Sequence, residues 1–207
     1  MKAIFSFIAI LVTTTLLCLA FLYQHLTAGH SAQREALERP AAQFAVHRTA
    51  ARPNATFILG EDREADNPYF ALATRYFQER GGRGAGQVFT HCRSLAEVLD
   101  VLEKEQSPDS PWGHVALVVH GNAWSGIGLP VVPDGPRTTG ASLLQAMEGR
   151  RITALPDRVV DAQTLVTVHA CALGENEALL CLLSRAFGGT DDDRPTVRSA
   201  PYFSVFT

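Results

Sequence analysis

The sequence predicts an α/β fold: a three-layer sandwich with a mostly parallel sheet. Two short apolar runs rich in β-branched residues, His114–Val119 and Thr164–Val168, have the composition of strands that are buried on both faces. Segments with helical spacing of apolar residues separate such runs, in the order β-α-β-α-β-hairpin-α-β-α-β. This alternation is typical of parallel strands connected by helices that cover both faces of one sheet.

Local signals set the bounds of the other elements. Ser94 and Glu97 have capping-box spacing, which predicts the start of a helix. Further strands are expected at Ala55–Gly60, Gln87–Thr90 and Thr196–Arg198, with a strand-like run at Tyr202–Phe206. Further helices are expected after Asn67 and Pro68, at Ala141–Met147 and at Glu177–Phe187. The stretch Gly121–Gly140 predicts a hairpin whose strand pair contains Ile127, Leu129, Val131 and Val132.

The N-terminal part of the chain has the pattern of an export signal. Ala3–Tyr23 contains no charged residue and follows Lys2, and ~20 apolar residues suffice for a helix to span a bilayer. We expect residues 1–28 to be a signal peptide or signal anchor, 29–54 a tether and 55–207 the folded domain. That domain is then exported: held at the membrane facing the periplasm or exterior, or secreted if the leader is cleaved.

Composition narrows the classes of partner. Of the 207 residues, 46% are hydrophobic and 19% are charged, with a net charge of −3. The chain has no basic block, so no nucleic-acid partner is expected. The cysteines show no metal-site spacing, so neither a metal nor another cofactor is expected. Cys18 is interpreted as a membrane residue, Cys92 as structural and Cys181 as part of the core.

Each of the two central apolar runs ends in a side chain that suits nucleophilic catalysis. His120 follows the first run and precedes Gly121, and Cys171 follows the second. In open α/β sheets, reactive groups gather beyond the carboxyl ends of strands, so the two are expected to face each other. An imidazole that accepts a thiol proton generates the thiolate nucleophile. A turn from strand to helix would also bring Cys171 close to a helix N-terminus and expose backbone N–H groups.

Four neighbouring residues are weaker candidates for substrate binding. Trp124 and Ser125 follow His120 and are candidates for a pocket wall, with packing as the alternative for Trp124. His169 precedes Cys171 by two residues and is either a polar group beside the dyad or a structural strand-end histidine. Asp191, in an acidic run, would favour a cationic substrate side chain if it lined the site.

A buried strand ending in His-Gly, followed by a second ending in Ala-Cys, resembles the caspase-like (clan CD) cysteine peptidases. That group includes caspases, metacaspases, gingipain-like and clostripain-like enzymes, separases and CHAT domains. The resemblance rests on Val115–Gly121, Leu165–Cys171 and the order of elements from Ala55 to Phe206. It implies a cysteine endopeptidase that hydrolyses a protein or peptide substrate through a thioester. Cys171 would be the nucleophile, His120 the general acid and base, and the Gly121 and Cys171 N–H groups the oxyanion donors.

Two other functions remain open from the sequence. An α/β-hydrolase could use His120-Gly121 as an oxyanion loop and Cys171 as its nucleophile. Against it, the chain has no Gly-x-Ser-x-Gly motif, and no histidine follows His169. The second alternative is a catalytically inactive, membrane-tethered binding module on a caspase-like scaffold, because a fold does not fix a function.

Overall fold

The described part of the chain is built around a five-stranded, all-parallel sheet. In this computed structural model the described residues are 52–62, 68–80, 86–107, 110–188, 193–202 and 206. Their strands are β1 (Asn54–Ile58), β2 (Gln87–Phe89), β3 (His114–Val118), β4 (Gly121–Asn122), β5 (Gly126–Pro130), β6 (Arg137–Thr138), β7 (Leu165–His169) and β8 (Thr196–Ser199). The central sheet has the order β2-β1-β3-β7-β8, with every neighbouring pair parallel.

Among the described residues, four α-helices cover the two faces of this sheet. They are α1 (Tyr69–Arg80), α2 (Leu95–Lys104), α3 (Gly140–Glu148) and α4 (Glu177–Phe187), and a 3₁₀ helix lies at Leu173–Glu175. Side chains of α2, α3 and α4 share the larger core with one sheet face, and side chains of α1 pack on the other face. The prediction of an α/β three-layer sandwich is therefore confirmed.

Strand β3 contributes side chains to the hydrophobic clusters on both faces of the sheet. Successive side chains of a strand point to opposite faces. Val115 and Leu117 belong to the larger core, while Ala116 and Val118 belong to the cluster beneath α1. All four are at most 1% exposed, which explains why the run is apolar throughout rather than alternating.

The N-termini of α1 and α2 are capped in different ways, and only the cap of α2 is visible in the local sequence. Ser94 and Glu97 form the predicted capping box at α2, and the helix buries Leu95, Val98, Leu99 and Leu102. At α1 the expected cap, Asn67, lies outside the described residues. The start of α1 is held instead by Asp62, whose two carboxylate oxygens accept the N–H groups of Phe70 and Ala71, each at 2.8 Å.

The hairpin after β3 is more elaborate than the expected strand pair. Strands β4, β5 and β6 form a small antiparallel sheet in that order. Ile127 and Leu129 lie in β5 as expected, but Val131 and Val132 lie in the turn that follows it. Val131 is nevertheless buried, so its apolar character reflects core packing rather than strand structure.

One expectation about the later part of the chain is wrong, and another falls largely outside the described residues. Cys181 is exposed rather than in the core, because Leu179 and Leu183 form the buried row of α4 and a residue midway between them faces away. Tyr202 and Phe206 do not lie in a strand, and residues 203–205 of that run are outside the described residues.

The expected leader and tether, residues 1–51, also lie outside the described residues. Within the part of the chain that is described, no helix has the length and apolar character needed to cross a membrane.

Candidate active site

The register of two neighbouring strands sets the geometry of the candidate site. In the parallel pair β3 and β7, Val118 lies opposite His169, and the Val119 N–H donates to the His169 carbonyl at 3.1 Å. His120 and Cys171 each come two residues after this last pair. Because neighbouring strands run about 4.8 Å apart, the two residues leave the sheet side by side at its carboxyl edge.

The His120 side chain rests on the beginning of α1. Its ring stacks on Tyr69, with centroids 5.1 Å apart and an interplanar angle of 24°. Phe70 meets the same ring edge-on at 4.7 Å. The His120 residue is otherwise exposed, so the imidazole is fixed by two aromatic rings while staying accessible to a substrate and to water.

Tyr69 connects the His120 side of the site to the Cys171 side. Its hydroxyl donates to the His169 carbonyl at 3.0 Å, and its ring lies against His120. Burial, together with the nearby Cys171 thiol, raises the pKa of Tyr69 well above its usual range. The phenol therefore stays protonated and acts as a hydrogen-bond donor near the thiol.

Cys171 lies in a turn whose following residues are held by backbone hydrogen bonds. The residue is half-buried, and the next residue, Ala172, has a left-handed backbone with φ 51°. The Ala172 N–H donates to the Tyr202 carbonyl at 3.0 Å, and the Gly174 N–H to the Ala200 carbonyl at 2.9 Å. A non-glycine residue at positive φ costs about 1 kcal/mol, and such strain clusters at functional sites.

The expected helix N-terminus at Cys171 is not observed. A 3₁₀ helix comes first, and α4 begins only at Glu177, behind its cap Asn176. The thiol therefore lies outside the first turn of an α-helix. Any activation of the thiol must come from its neighbours rather than from the dipole of α4.

The two expected oxyanion donors are available as backbone groups. The Cys171 N–H has no hydrogen-bond partner within the described residues. In the β4–β5 ladder the Gly128 N–H donates to the His120 carbonyl at 2.6 Å, which makes Gly121 and Ile127 a non-hydrogen-bonded pair. The Gly121 N–H therefore points away from β5. A Cβ at Gly121 would lie 2.8 Å from the Gly126 carbonyl oxygen, so this position requires glycine.

Asn176 ties the turn after β4 to the start of α4. Its Nδ2 donates to the Ala123 carbonyl at 2.6 Å, and its Oδ1 accepts the Leu179 N–H at 3.0 Å. Trp124 and Ser125 lie in that turn and donate their N–H groups to the Asn122 Oδ1 at 3.0 and 2.7 Å. Trp124 is 95% exposed, so the packing alternative for it is wrong.

His169 lies against aromatic rings on the same side of the sheet as α1. Phe77 lies edge-on to it at 5.7 Å, and Phe206 lies 5.4 Å away at a tilt. Burial, helped by repulsion from His114, lowers the pKa of His169 to about 4. The ring is therefore neutral near pH 7. His114 Nε2 lies 2.9 Å from the Thr167 Oγ1, and burial lowers its pKa as well.

The remaining candidate groups are placed as follows. Cys92 is buried, and this burial, aided by Glu97, raises its pKa to about 11, which fits its structural interpretation. Asp191 lies outside the described residues. Among the residues that are described, no group of three or more His, Cys, Asp or Glu side chains is placed to hold a metal ion.

Sequence reasoning missed three residues that build this site: Asp62, Tyr69 and Asn176. Asn176 carried a readable signal, since an asparagine directly before a helical run is a common N-cap. Tyr69 belongs to the apolar positions of α1, and a tyrosine at such a position brings a hydroxyl that must find a partner. Asp62 lies too far before α1 for any local capping pattern to show it.

Comparison of the chain with protein-family models, with curated proteins and with solved structures found no match.

Proposed function

We propose that the protein is a caspase-like cysteine endopeptidase with Cys171 as nucleophile and His120 as general acid and base. The observation that carries this proposal is the β3–β7 register, which brings the two residues out of neighbouring strands at one edge of the sheet. Spare N–H groups on Gly121 and Cys171 supply the donors that acyl transfer requires. The resemblance of the sequence to clan CD cysteine peptidases implies the same pair of residues in the same two roles.

The reaction would proceed in two halves. His120 takes the Cys171 proton while the sulfur attacks the peptide carbonyl, and the oxyanion is held by the two N–H groups. The C–N bond then breaks, the imidazolium gives its proton to the leaving amine, and a thioester remains. In the second half His120 deprotonates a water, the hydroxide attacks the thioester, and the acid and free thiol are released.

The surroundings of the dyad support this assignment. His120 is accessible yet fixed by Tyr69 and Phe70, which suits a base that must swing only slightly between thiol and leaving group. The left-handed backbone at Ala172 bends the chain immediately after Cys171. Within the described residues, the Cys171 N–H donates to no backbone carbonyl, which suits an oxyanion donor.

A non-catalytic binding module is the second candidate, and one observation favours it. No hydrogen bond joins His120 to Cys171 within the described residues. Catalytic hydrogen bonds are often long in the absence of substrate, so this observation does not outweigh the register.

Thiol labelling of the full chain under reducing conditions tests the proposal. Iodoacetamide is added at pH 7, and peptide mapping by mass spectrometry follows each cysteine separately. Cys181 is exposed and serves as the ordinary thiol within the same molecule, whereas the buried Cys92 should react slowest. We expect Cys171 to react about tenfold faster than Cys181, and His120→Ala to remove that advantage without changing Cys181.

Hydrolysis of a labelled general protein substrate such as casein completes the test. We expect cleavage that is lost in both Cys171→Ala and His120→Ala. If Cys171 reacts no faster than Cys181 and its rate is indifferent to His120, the peptidase is excluded and the binding module is supported.

We also propose that the domain is exported through the apolar segment Ala3–Tyr23. The test is protease accessibility in intact and permeabilised cells. Digestion only after permeabilisation of the inner membrane would contradict export.

A further inference from the structure

Phe206 fills a space between aromatic rings beside the candidate dyad. Its side chain is only 4% exposed. Its ring centroid lies 5.4 Å from Tyr69, 5.6 Å from Tyr76 and 5.8 Å from Phe77, and 5.4 Å from the imidazole of His169. These tilted and edge-on arrangements are the favourable geometries for aromatic pairs.

Two of these four neighbours belong to the candidate site. Tyr69 stacks on His120, and its hydroxyl binds the carbonyl of His169. His169 in turn comes two residues before Cys171. A side chain that occupies the place of Phe206 therefore contacts the residue that supports the base and the strand end that carries the nucleophile.

The lining of this space selects for an uncharged ring. Phe206 belongs to a cluster whose other buried members are apolar: Ile58, Phe70, Ala73, Phe77, Ala116 and Val118. The two polar rings on its border, Tyr69 and His169, are both neutral near pH 7. A carboxylate or ammonium group placed there would lose its hydration without gaining a partner of opposite charge.

We infer that the space between Tyr69, Phe77 and His169 is a subsite for an aromatic side chain of the substrate, and that Phe206 occupies it in cis. This inference rests on the proposed peptidase function and adds a substrate class to it. It also makes Phe206 a competitor of the substrate: the side chain must leave before an aromatic residue of the substrate can enter.

Labelling with two chloromethyl ketones that differ only in their side chain tests the inference. N-acetyl-phenylalanyl and N-acetyl-alanyl chloromethyl ketones are reacted with the full chain, and the ratio of their rates at Cys171 is measured. Emptying the subsite by Phe206→Ala should raise the Phe/Ala ratio about tenfold, since burial of one phenyl ring is worth at least that factor. Tyr202→Ala removes an exposed ring four residues before Phe206, keeps the carbonyl that accepts the Ala172 N–H, and should leave the ratio unchanged.

A binding measurement separates this inference from the proposed function. In the Cys171→Ala/Phe206→Ala double variant, N-acetyl-phenylalaninamide should raise Tm while N-acetylalaninamide does not. If the phenyl ligand binds this variant but Cys171 of the parent chain shows no labelling that depends on His120, the subsite is retained and the peptidase is overturned. If labelling of Cys171 depends on His120 but the Phe/Ala ratio is the same in Phe206→Ala as in the parent, the peptidase is retained and the subsite is overturned.

The main competing view is that Phe206 is simply a core residue. In that case Phe206→Ala lowers Tm, the Phe/Ala ratio does not change, and the phenyl ligand does not bind. If Phe206→Ala does not fold, Phe206→Val is measured in its place, because it removes the ring and leaves part of the space open, so that the Phe/Ala ratio should still rise. An unchanged ratio in that variant overturns the inference.

Discussion

The phenol ring of Tyr69 stacks on the imidazole of His120, with centroids 5.1 Å apart and planes 24° apart. The same phenol donates its hydroxyl hydrogen to the carbonyl of His169 at 3.0 Å. One side chain of α1 thus contacts His120, two residues beyond the end of β3, and His169, the last residue of β7. It fixes the candidate base relative to the strand that leads to Cys171.

Substitutions of Tyr69 should separate these two roles. Tyr69→Phe keeps the stacked ring and loses the hydroxyl, so we expect about 1 kcal/mol less stability in urea unfolding and little change in Cys171 labelling. Tyr69→Leu also removes the ring beneath His120, so labelling of Cys171 should fall several-fold while that of Cys181 stays constant. Equal Cys171 labelling in the two variants would mean that the stack does not position the base.

Gly121→Ala should damage both the hairpin and the site. The added Cβ would lie 2.8 Å from the Gly126 carbonyl oxygen and 3.2 Å from the Ile127 Cα, and backbone on both sides must shift. We expect a loss of about 1–3 kcal/mol in urea unfolding and slower labelling of Cys171. The matched control is Gly140→Ala, where the Cβ would meet only Leu182 Cδ1 at 3.5 Å. If both substitutions behave alike, the close approach at Gly121 is not what matters.

Asn176→Ala should uncouple the turn after β4 from α4. The variant loses the cap on Leu179 and the amide donated to the Ala123 carbonyl, and caps of this kind are worth about 1 kcal/mol. Amide hydrogen exchange at Trp124 and Ser125 should speed up. Asn176→Asp keeps a cap acceptor but has no amide to donate, so it should retain more stability than Asn176→Ala while showing the same faster exchange. Unaltered exchange in both variants would contradict the coupling.

His169 should make stability depend on pH in mildly acid solution. Its pKa is about 4 in the folded protein, against about 6.5 in an unfolded chain, so the unfolded state binds the proton first as pH falls. The free energy of unfolding should therefore decrease from about pH 6.5 down to about pH 4, by up to about 1.4 kcal/mol per pH unit. His169→Gln should reduce this slope. Because burial also lowers the pKa of His114, the slope should decrease further in the double variant with His114→Gln.

A pH profile of urea unfolding between pH 4 and pH 8 checks the prediction. A slope that is identical in the parent and in His169→Gln would show that the proton is taken up elsewhere.

Several elements could be predicted because their signals are local. The capping box at Ser94 and Glu97 opens α2 as expected, and strands β3 and β7 follow their apolar runs to within one or two residues. Cys181 was misassigned because an apolar run in a helix does not show which residues face the core. The three-stranded hairpin was underestimated because β4 and β6 contain only two residues each, too few to leave a pattern.

By itself, the sequence determined the α/β class, the buried strands and the positions of His120 and Cys171 at the ends of two of them. Those features follow from hydrophobic periodicity and helix caps, which act between residues close in the chain. Only the tertiary structure decided that β3 and β7 are neighbours in register, that Tyr69 lies between the two strand ends, and that Phe206 fills the space next to it. Those contacts depend on how helices and strands pack across long separations in the chain. Periodicity shows that a face is apolar, but not which surface it meets.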